Sequence, residues 1–270
     1  MSTGAVRITA LAVGNFDGIH RGHMALFERL GRDGGVAVIE HYRATLTPGA
    51  WRARHVNLPL FFYDFWRLKD LSPEAFVKRL RADFPNLERI VVGEDFHFGA
   101  GRCGDTRTLR SLFEGEVTVV AEVKEADEGI HSRVIREEIA RGDVARAGVM
   151  LGRAYEVWGE VVCGQGLGAK ALVPTLNLRT GRFLLPLAGV YKTRTAVEGR
   201  FWPSVTFVGH RVSTDGRFAV ETHLIDRRID RVRGPVGVRW LARLRENRRF
   251  ETLVALKRQI EEDMAHARQG

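Results

Sequence analysis

Residues 14–23 read GNFDGIHRGH, and this stretch decides the fold class of the first half of the chain. It follows directly on the apolar run Ile8–Val13 (ITALAV), which is typical of a strand buried on both faces. Its glycines permit a tight turn and let a ligand approach the backbone closely. The residues that follow have helical spacing, and the start of a helix presents N–H groups and a positive dipole end to anions. The stretch therefore predicts a strand-turn-helix that binds phosphate.

His20 and His23 are the candidate catalytic side chains of this segment. They are three residues apart, so a helix places them on one face. Two imidazoles there can donate hydrogen bonds to phosphate oxygens as negative charge develops during transfer. The same pair could instead cap the helix or lie on its surface. A zinc site is a further alternative, although no third ligand with matching spacing is evident.

The rest of the first half alternates apolar runs with helical patterns. Ser72 and Pro73 are typical of a helix start, as N-cap and first helical residue. That helix would turn Phe76, Leu80 and Phe84 inward. Further buried strands are predicted at Val36–Ile39, Ile90–Val92 and Val117–Val120. Alternating strands and helices predict a parallel sheet with helices on both faces.

The pattern changes near residue 153. A helix is predicted over Glu137–Met150, and a final amphipathic helix carries an apolar stripe of Leu253, Leu256, Ile260 and Met264. Between them, strands are predicted at Tyr155–Val162, Gly189–Val197, Ser204–Val208, Phe218–Ile225 and Val236–Trp240. This pattern favours a compact antiparallel barrel. We therefore expect two domains, residues 1–152 and 153–270.

A second candidate site lies at the start of the barrel. The glycine-rich stretch 164–170 (GQGLGAK) lacks the spacing of a P-loop, and glycine clusters are usually turns. It is followed by Pro174-Thr175-Leu176-Asn177, and an extended chain turns Thr175 and Asn177 to the same face. A hydroxyl and an amide oxygen suit Mg²⁺ bound to nucleotide phosphates, although an ordinary strand edge has the same pattern.

Together these motifs resemble the bifunctional bacterial riboflavin kinase/FAD synthetase family. In the first half the resemblance is carried by residues 14–23 and by VGEDFHFG at 92–99 with its trailing Gly104-Asp105. In the second half it is carried by the Pro-Thr-x-Asn segment, by GVY at 189–191 and by AVETHL at 219–224. It extends over nearly the entire chain, from Leu11 to the last helix.

The resemblance implies an α/β Rossmann-like nucleotidylyltransferase domain followed by a six-stranded antiparallel β-barrel riboflavin kinase domain with a C-terminal helix. It implies that ATP phosphorylates riboflavin to FMN, and that a second ATP adenylylates FMN to FAD with release of pyrophosphate. Glu221 would be the general base of the kinase, with Thr175 and Asn177 as Mg²⁺ ligands. Asp95 and Phe96 would bind flavin. The implied nucleotide-binding residues are Gly14, Asn15, Phe16, Asp17, Gly22, Ser132, Arg133, Arg136, Gly164, Gly166, Gly168 and Lys170.

Three segments depart from the family pattern. Residues 39–42 read IEHY where the family has Phe-Glu-Pro-His-Pro, and no role passes to His41. Residues 131–134 read HSRV where the family has Ser-Ser-Thr-Arg, which shifts the basic residue to Arg133. Leu172-Val173 replaces the usual Gly-Phe. Two alternatives therefore stay open: one active domain, with the kinase favoured, or a non-catalytic regulator that binds flavin or nucleotide.

The composition is typical of an ordinary soluble globular protein. The 270 residues include 44% hydrophobic residues without a membrane-length apolar run, and Cys103 and Cys163 are isolated. No signal peptide precedes the first strand, so we expect a reduced cytoplasmic protein. The net charge of +9 is spread along the chain, for example at Arg52, Arg54, Arg79, Arg81, Arg194, Arg243 and Arg248. We expect these arginines to be solvated surface, and neither nucleic acid nor membrane as a partner; the oligomeric state stays open.

Overall fold

The computed structural model describes residues 5–163, 173–213, 215–227, 232 and 234–268. It divides into two compact units, residues 1–132 and 133–270. The sequence predicts a domain boundary after residue 152, and as a functional boundary this stays a prediction.

The first unit contains the predicted parallel sheet. Its strand order is β3-β2-β1-β4-β5, and every neighbouring pair is parallel. The strands are β1 (Ala10–Gly14), β2 (Gly34–Glu40), β3 (Leu60–Asp64), β4 (Arg89–Gly93) and β5 (Glu116–Val120). The edge strand β3 was not predicted. A short ribbon follows, formed by β6 (Lys124–Glu125) and β7 (Glu128–Gly129).

Both faces of this sheet are buried, as the continuous apolar runs predict. Successive residues of a strand point to opposite faces, so Leu11 and Val13 join one core while Ala10 and Ala12 join the other. The helices are α1 (Arg21–Phe27), α2 (Phe65–Leu68), α3 (Pro73–Asp83) and α4 (Thr106–Leu112).

Helix α3 begins where the sequence predicts. The Ser72 hydroxyl accepts a hydrogen bond from the Ala75 N–H at 3.2 Å, and Pro73 is the first helical residue. Phe76, Leu80 and Phe84 are buried in the core, as expected. Helix α1 forms where the helical spacing predicts it, but one of its apolar side chains, Met24, is exposed and not turned into the core.

The second unit begins with two helices where the sequence predicts one. They are α5 (Ser132–Arg141) and α6 (Val144–Leu151). The break occurs at Gly142, whose φ of 86° lies in the left-handed region that favours glycine. Asp143 then caps α6, since its Oδ1 accepts from the Arg146 N–H at 2.9 Å.

Six antiparallel strands close into the predicted barrel, in the order β10-β11-β12-β9-β8-β13. They are β8 (Tyr155–Val162), β9 (Leu176–Arg179), β10 (Gly189–Val197), β11 (Arg200–His210), β12 (Phe218–Leu224) and β13 (Val236–Glu246). The short strand β9 completes the closure by pairing with both β8 and β12. It carries Asn177 of the second candidate site.

A closed ring of hydroxyl groups fills part of the barrel interior. Thr193, Ser204, Thr195, Thr222 and Thr206 follow one another around the ring, with oxygen–oxygen distances of 2.7 to 2.9 Å. All five side chains are buried, and the ring joins strands that are not neighbours in the sheet. Each hydroxyl can donate once and accept once, so these buried polar groups are satisfied by one another.

The C-terminal helix α7 (Leu253–Arg268) packs against the barrel. Leu256, Ile260 and Met264 of the predicted stripe are half-buried, whereas Leu253 is exposed, which corrects that part of the prediction. The stripe also contains a charge, because Asp263 is buried and receives hydrogen bonds from Arg245 at 2.8 to 3.1 Å. No helix in the described part of the chain is long and apolar enough to cross a membrane.

Replacing Asp263 with Asn is expected to destabilise the barrel unit. The change leaves the Arg245 guanidinium without its counter-charge, and breaking a buried ion pair costs about 3 kcal/mol or more in free energy of unfolding. Urea denaturation followed by tryptophan fluorescence measures this. The matched control is Asp226→Asn, which removes an exposed partner of Arg268 and should have little effect. Equal denaturation midpoints for the two variants would contradict this role of Asp263.

Candidate active sites

A cavity of about 600 Å³ lies at the carboxyl ends of the parallel strands in the first unit. The last residues of β1, β4 and β5 line it, which is where open α/β sheets bind ligands. Of the residues predicted for the first site, those lining it are Gly14, Asn15, Phe16, His20, Gly22, His23, Asp95, Phe96 and Ser132. The structure thus brings most of the first predicted site together around one opening.

The two histidines form a reciprocal cap at the start of α1. Nδ1 of His20 accepts from the His23 N–H, and Nδ1 of His23 accepts from the His20 N–H, each at 3.3 Å. The rings stack with centroids 3.5 Å apart. Because each Nδ1 is an acceptor, this hydrogen-bond pattern assigns the proton of each neutral ring to Nε2. The pair therefore caps the helix and also supplies two imidazole donors.

Gly22 is required by the close packing around the pair. A Cβ at this position would lie 3.1 Å from the His20 ring and 3.3 Å from the Ile130 carbonyl oxygen. The preceding turn is strained, since Phe16 and Ile19 have positive φ values of 51° and 44°. Such conformations cost about 1–3 kcal/mol each and persist only where the surroundings fix them.

Arg52 supplies much of that support. The sequence predicts it on the surface, but it is fully buried, which corrects the prediction. Its Nη1 contacts Glu40 Oε2 at 2.5 Å, and its Nε donates to the Phe16 carbonyl at 3.2 Å. Its Nη2 donates to Asn15 Oδ1 at 3.5 Å. A buried arginine thus fixes the backbone of the turn that follows β1.

Asp17 has a supporting position too. It is buried, and its Oδ1 accepts from the Thr47 N–H at 3.1 Å. Its carbonyl accepts from the Ser132 hydroxyl at 2.8 Å, so the last residue of the first unit is held against the turn. Asp17 is therefore placed to shape the turn, while Ser132 lines the cavity.

The cavity lining also contains side chains to which the sequence assigned no role. His131 Nε2 lies 2.5 Å from Glu122 Oε1, and its Nδ1 lies 3.9 Å from Asp95 Oδ2. His41 stacks on Phe65, with ring centroids 4.1 Å apart. Since Phe65 follows the unpredicted strand β3, its position was not evident from sequence.

Arg133 and Arg136 belong to the second unit. Arg133 is exposed and pairs with Glu137 at 2.7 Å, one turn along α5. Arg136 is half-buried. Their role in phosphate binding stays a prediction.

The second candidate site lies on the outer face of the barrel. Glu221 of β12 is directly opposite Asn177 of β9, and Thr175 lies just before that strand. Burial raises the pKa of the Glu221 carboxyl above its usual range, although the positive charge of Arg211 opposes this. His223, two residues along β12, donates from Nδ1 to the Pro174 carbonyl at 2.6 Å and so fixes the segment that carries Thr175. The predicted flap residues Gly164, Gly166, Gly168 and Lys170 lie outside the described residues.

Sequence comparisons match the two parts of the chain to two family models. The riboflavin kinase family model matches residues 151–270, and the FAD synthetase family model matches residues 58–134. The bifunctional riboflavin kinase/FMN adenylyltransferase of Pseudomonas fluorescens is 34% identical over 95% of this chain and 91% of its own. That of Escherichia coli K12 is 30% identical over 96% of this chain and 91% of its own.

A solved structure has the same architecture. It is described as a macrolide-efflux protein from Streptococcus pneumoniae, with a TM-score of 0.86 and 27% identity, and the match covers 97% of this chain and 94% of that one. The fold is therefore shared along nearly the whole length. With two curated relatives at 30% identity or more over nearly their whole length, this chain belongs to the bifunctional riboflavin kinase/FMN adenylyltransferase family.

Proposed function

We propose that this protein phosphorylates riboflavin to FMN with ATP and then adenylylates FMN to FAD, releasing pyrophosphate. The observation that carries the proposal is the presence of two candidate sites, one in each unit. The first unit has a cavity with paired imidazoles, and the barrel has a half-buried carboxylate beside an amide. Cys103 and Cys163 are free and exposed, which supports a reducing, cytoplasmic location.

In the adenylylating unit the FMN phosphate oxygen attacks the α-phosphorus of ATP. The bond to pyrophosphate breaks, so no protein nucleophile is needed. His20 and His23 donate from Nε2 to phosphate oxygens whose charge increases in the transition state. Asp95 and Phe96, which line the same cavity, bind the flavin.

In the barrel Glu221 acts as the general base. It accepts the proton of the terminal ribityl hydroxyl as that oxygen attacks the γ-phosphorus of ATP. Thr175 and Asn177 offer the hard oxygen donors that Mg²⁺ prefers, and the side chains here therefore fit this ion. Thr175 and Asn177 would hold the ion, and its positive charge would offset the charge of the nucleotide phosphates.

The test is a product assay with purified protein, riboflavin, ATP and Mg²⁺, in which chromatography separates the flavins over time. FMN that rises and then gives way to FAD is expected. Accumulation of FMN alone would limit the protein to the kinase reaction. No conversion of riboflavin, with supplied FMN also unchanged, would favour a flavin-binding regulator and contradict the proposal.

Arg52 gives a prediction that concerns only the adenylylating unit. Arg52→Met alone leaves the Glu40 charge buried and unpaired, so the informative variant is Glu40→Gln with Arg52→Met. This double variant is expected to fold, yet to lose about a hundredfold in FAD formation from FMN, because small displacements of a catalytic turn have large effects. Riboflavin phosphorylation should be unchanged.

Arg54→Met is the matched control, since Arg54 is exposed two residues away. It should retain both activities, and circular dichroism checks that every variant is folded. A double variant that made FAD at the wild-type rate would contradict the role assigned to Arg52.

A further inference from the structure

A hairpin loop at one end of the barrel contributes a second charged group beside Glu221. Strand β11 ends at His210 and β12 starts at Phe218, and the loop between them contains Arg211 and Asp215. The loop is closed by backbone hydrogen bonds, from the Arg211 N–H to the Arg217 carbonyl at 3.0 Å and from the Gly216 N–H to the Arg211 carbonyl at 3.1 Å. These two bonds fix the backbone of Arg211 independently of the contacts that its side chain makes.

The Arg211 guanidinium bridges two carboxylates. Its Nη1 donates to Glu221 Oε1 and its Nη2 donates to Asp215 Oδ2, each at 3.0 Å. All three side chains are largely shielded, with exposed fractions of 15% for Arg211, 22% for Glu221 and 23% for Asp215. Ion pairs at this depth are weakly screened, and two fixed acceptors leave an arginine little freedom.

The other groups that face Glu221 are mostly uncharged. Phe207 lies opposite it on β11 and Asn177 lies opposite it on β9, while His223 is turned to Pro174. Arg217 lies 3.9 Å from Asp215 and is exposed. Among the described charged groups, Arg211 and Asp215 are therefore those positioned to act on this carboxylate.

We propose that Arg211 is a positioning residue of the riboflavin kinase site: it holds the Glu221 carboxylate in one orientation, while Asp215 fixes the guanidinium. The inference rests on the proposed role of Glu221 as general base. A base held in one orientation is ready to accept the proton of the attacking hydroxyl, so the loss of Arg211 should lower kcat and leave KM nearly unchanged.

The experiment compares Arg211→Met and Arg211→Lys with the wild type. Initial rates of FMN formation are measured over a range of riboflavin and ATP concentrations, which separates kcat from KM. For Arg211→Met we expect kcat to fall about tenfold to a hundredfold from lost orientation, with both KM values within about twofold of the wild type. Lys keeps a charged donor to Glu221 but lacks the planar fork that also reaches Asp215, so Arg211→Lys should recover part of kcat.

Two controls separate this role from a structural one. Arg258→Met removes an exposed arginine of an ion pair on α7, and it should leave kcat and KM unchanged. FAD formation from supplied FMN should be unaffected in every variant. If Arg211→Met kept the wild-type kcat, for instance with only a raised KM for ATP, the proposal would be overturned.

A double variant keeps the inference distinct from the proposed function. Arg211 is proposed to act through Glu221, so adding Arg211→Met to Glu221→Gln should lower the residual FMN formation little further. A further loss as large as that of the single variant would overturn the positioning role, whereas a wild type that makes no FMN would overturn the kinase assignment itself.

Discussion

FAD formation from FMN is expected to disappear when His20 is replaced by Asn and His23 by Gln, while riboflavin phosphorylation continues. Loss of one transition-state donor lowers a rate by about 10²–10³, so loss of both imidazoles should lower it by about 10⁴ or more. Supplied FMN and ATP isolate this reaction, and chromatography measures the FAD produced.

The choice of Asn and Gln separates catalysis from capping. His20 is the N-cap of α1 and His23 is its third helical residue, and their reciprocal hydrogen bonds satisfy two backbone N–H groups. Asn is among the best N-cap residues, and Gln at the third position can return the hydrogen bond, so the helix start should survive. His55→Ala, outside the cavity lining, is the control. A double variant with wild-type FAD formation would show that the imidazoles act only as caps.

Glu221→Gln is expected to have the second large effect, on the other reaction. Removing a general base lowers a rate by about 10²–10⁴, so FMN formation should nearly cease. Gln has the same shape and can still accept a hydrogen bond from Arg211, so the barrel should remain folded. FAD formation from supplied FMN should be preserved.

Glu160→Gln is the matched control for that variant. Glu160 lies on β8 of the same barrel, where it is exposed and paired with Arg179. Its loss should change FMN formation little, because exposed ion pairs contribute little to stability. If Glu221→Gln phosphorylated riboflavin as fast as Glu160→Gln, another group would have to be the base.

The parts of the fold that sequence predicted are those governed by local pattern. Apolar runs marked β1, β2, β4 and β5, and Ser72 with Pro73 marked the start of α3. The strand β3 is as long as β1, but it was missed because none of its residues is fully buried and Phe62 is exposed, so it lacks a buried pattern. The single predicted helix after residue 136 proved to be two, although Gly142 and Asp143 carried the signal of a stop and a new cap.

The site residues that sequence missed depend on tertiary partners. Arg52 was counted with the surface charge because arginine is rarely buried, and its contacts with Glu40 and with the Phe16 carbonyl account for its position. Arg211 lies ten residues before Glu221, and the hairpin alone brings them together. His131 replaces a family serine, and its contact with Glu122 depends on the turn between them. Such pairings leave no periodic signal in the sequence.

The hydroxyl ring inside the barrel couples strands that the sheet itself does not pair. Its bonds join β10, β11 and β12, and the bond between Thr195 and Thr222 links two strands that are not neighbours in the barrel order. Removing one hydroxyl would leave two other buried hydroxyls with one partner fewer each, so a single substitution weakens more than one strand. The ring therefore makes the closed barrel more cooperative than its backbone hydrogen bonds alone.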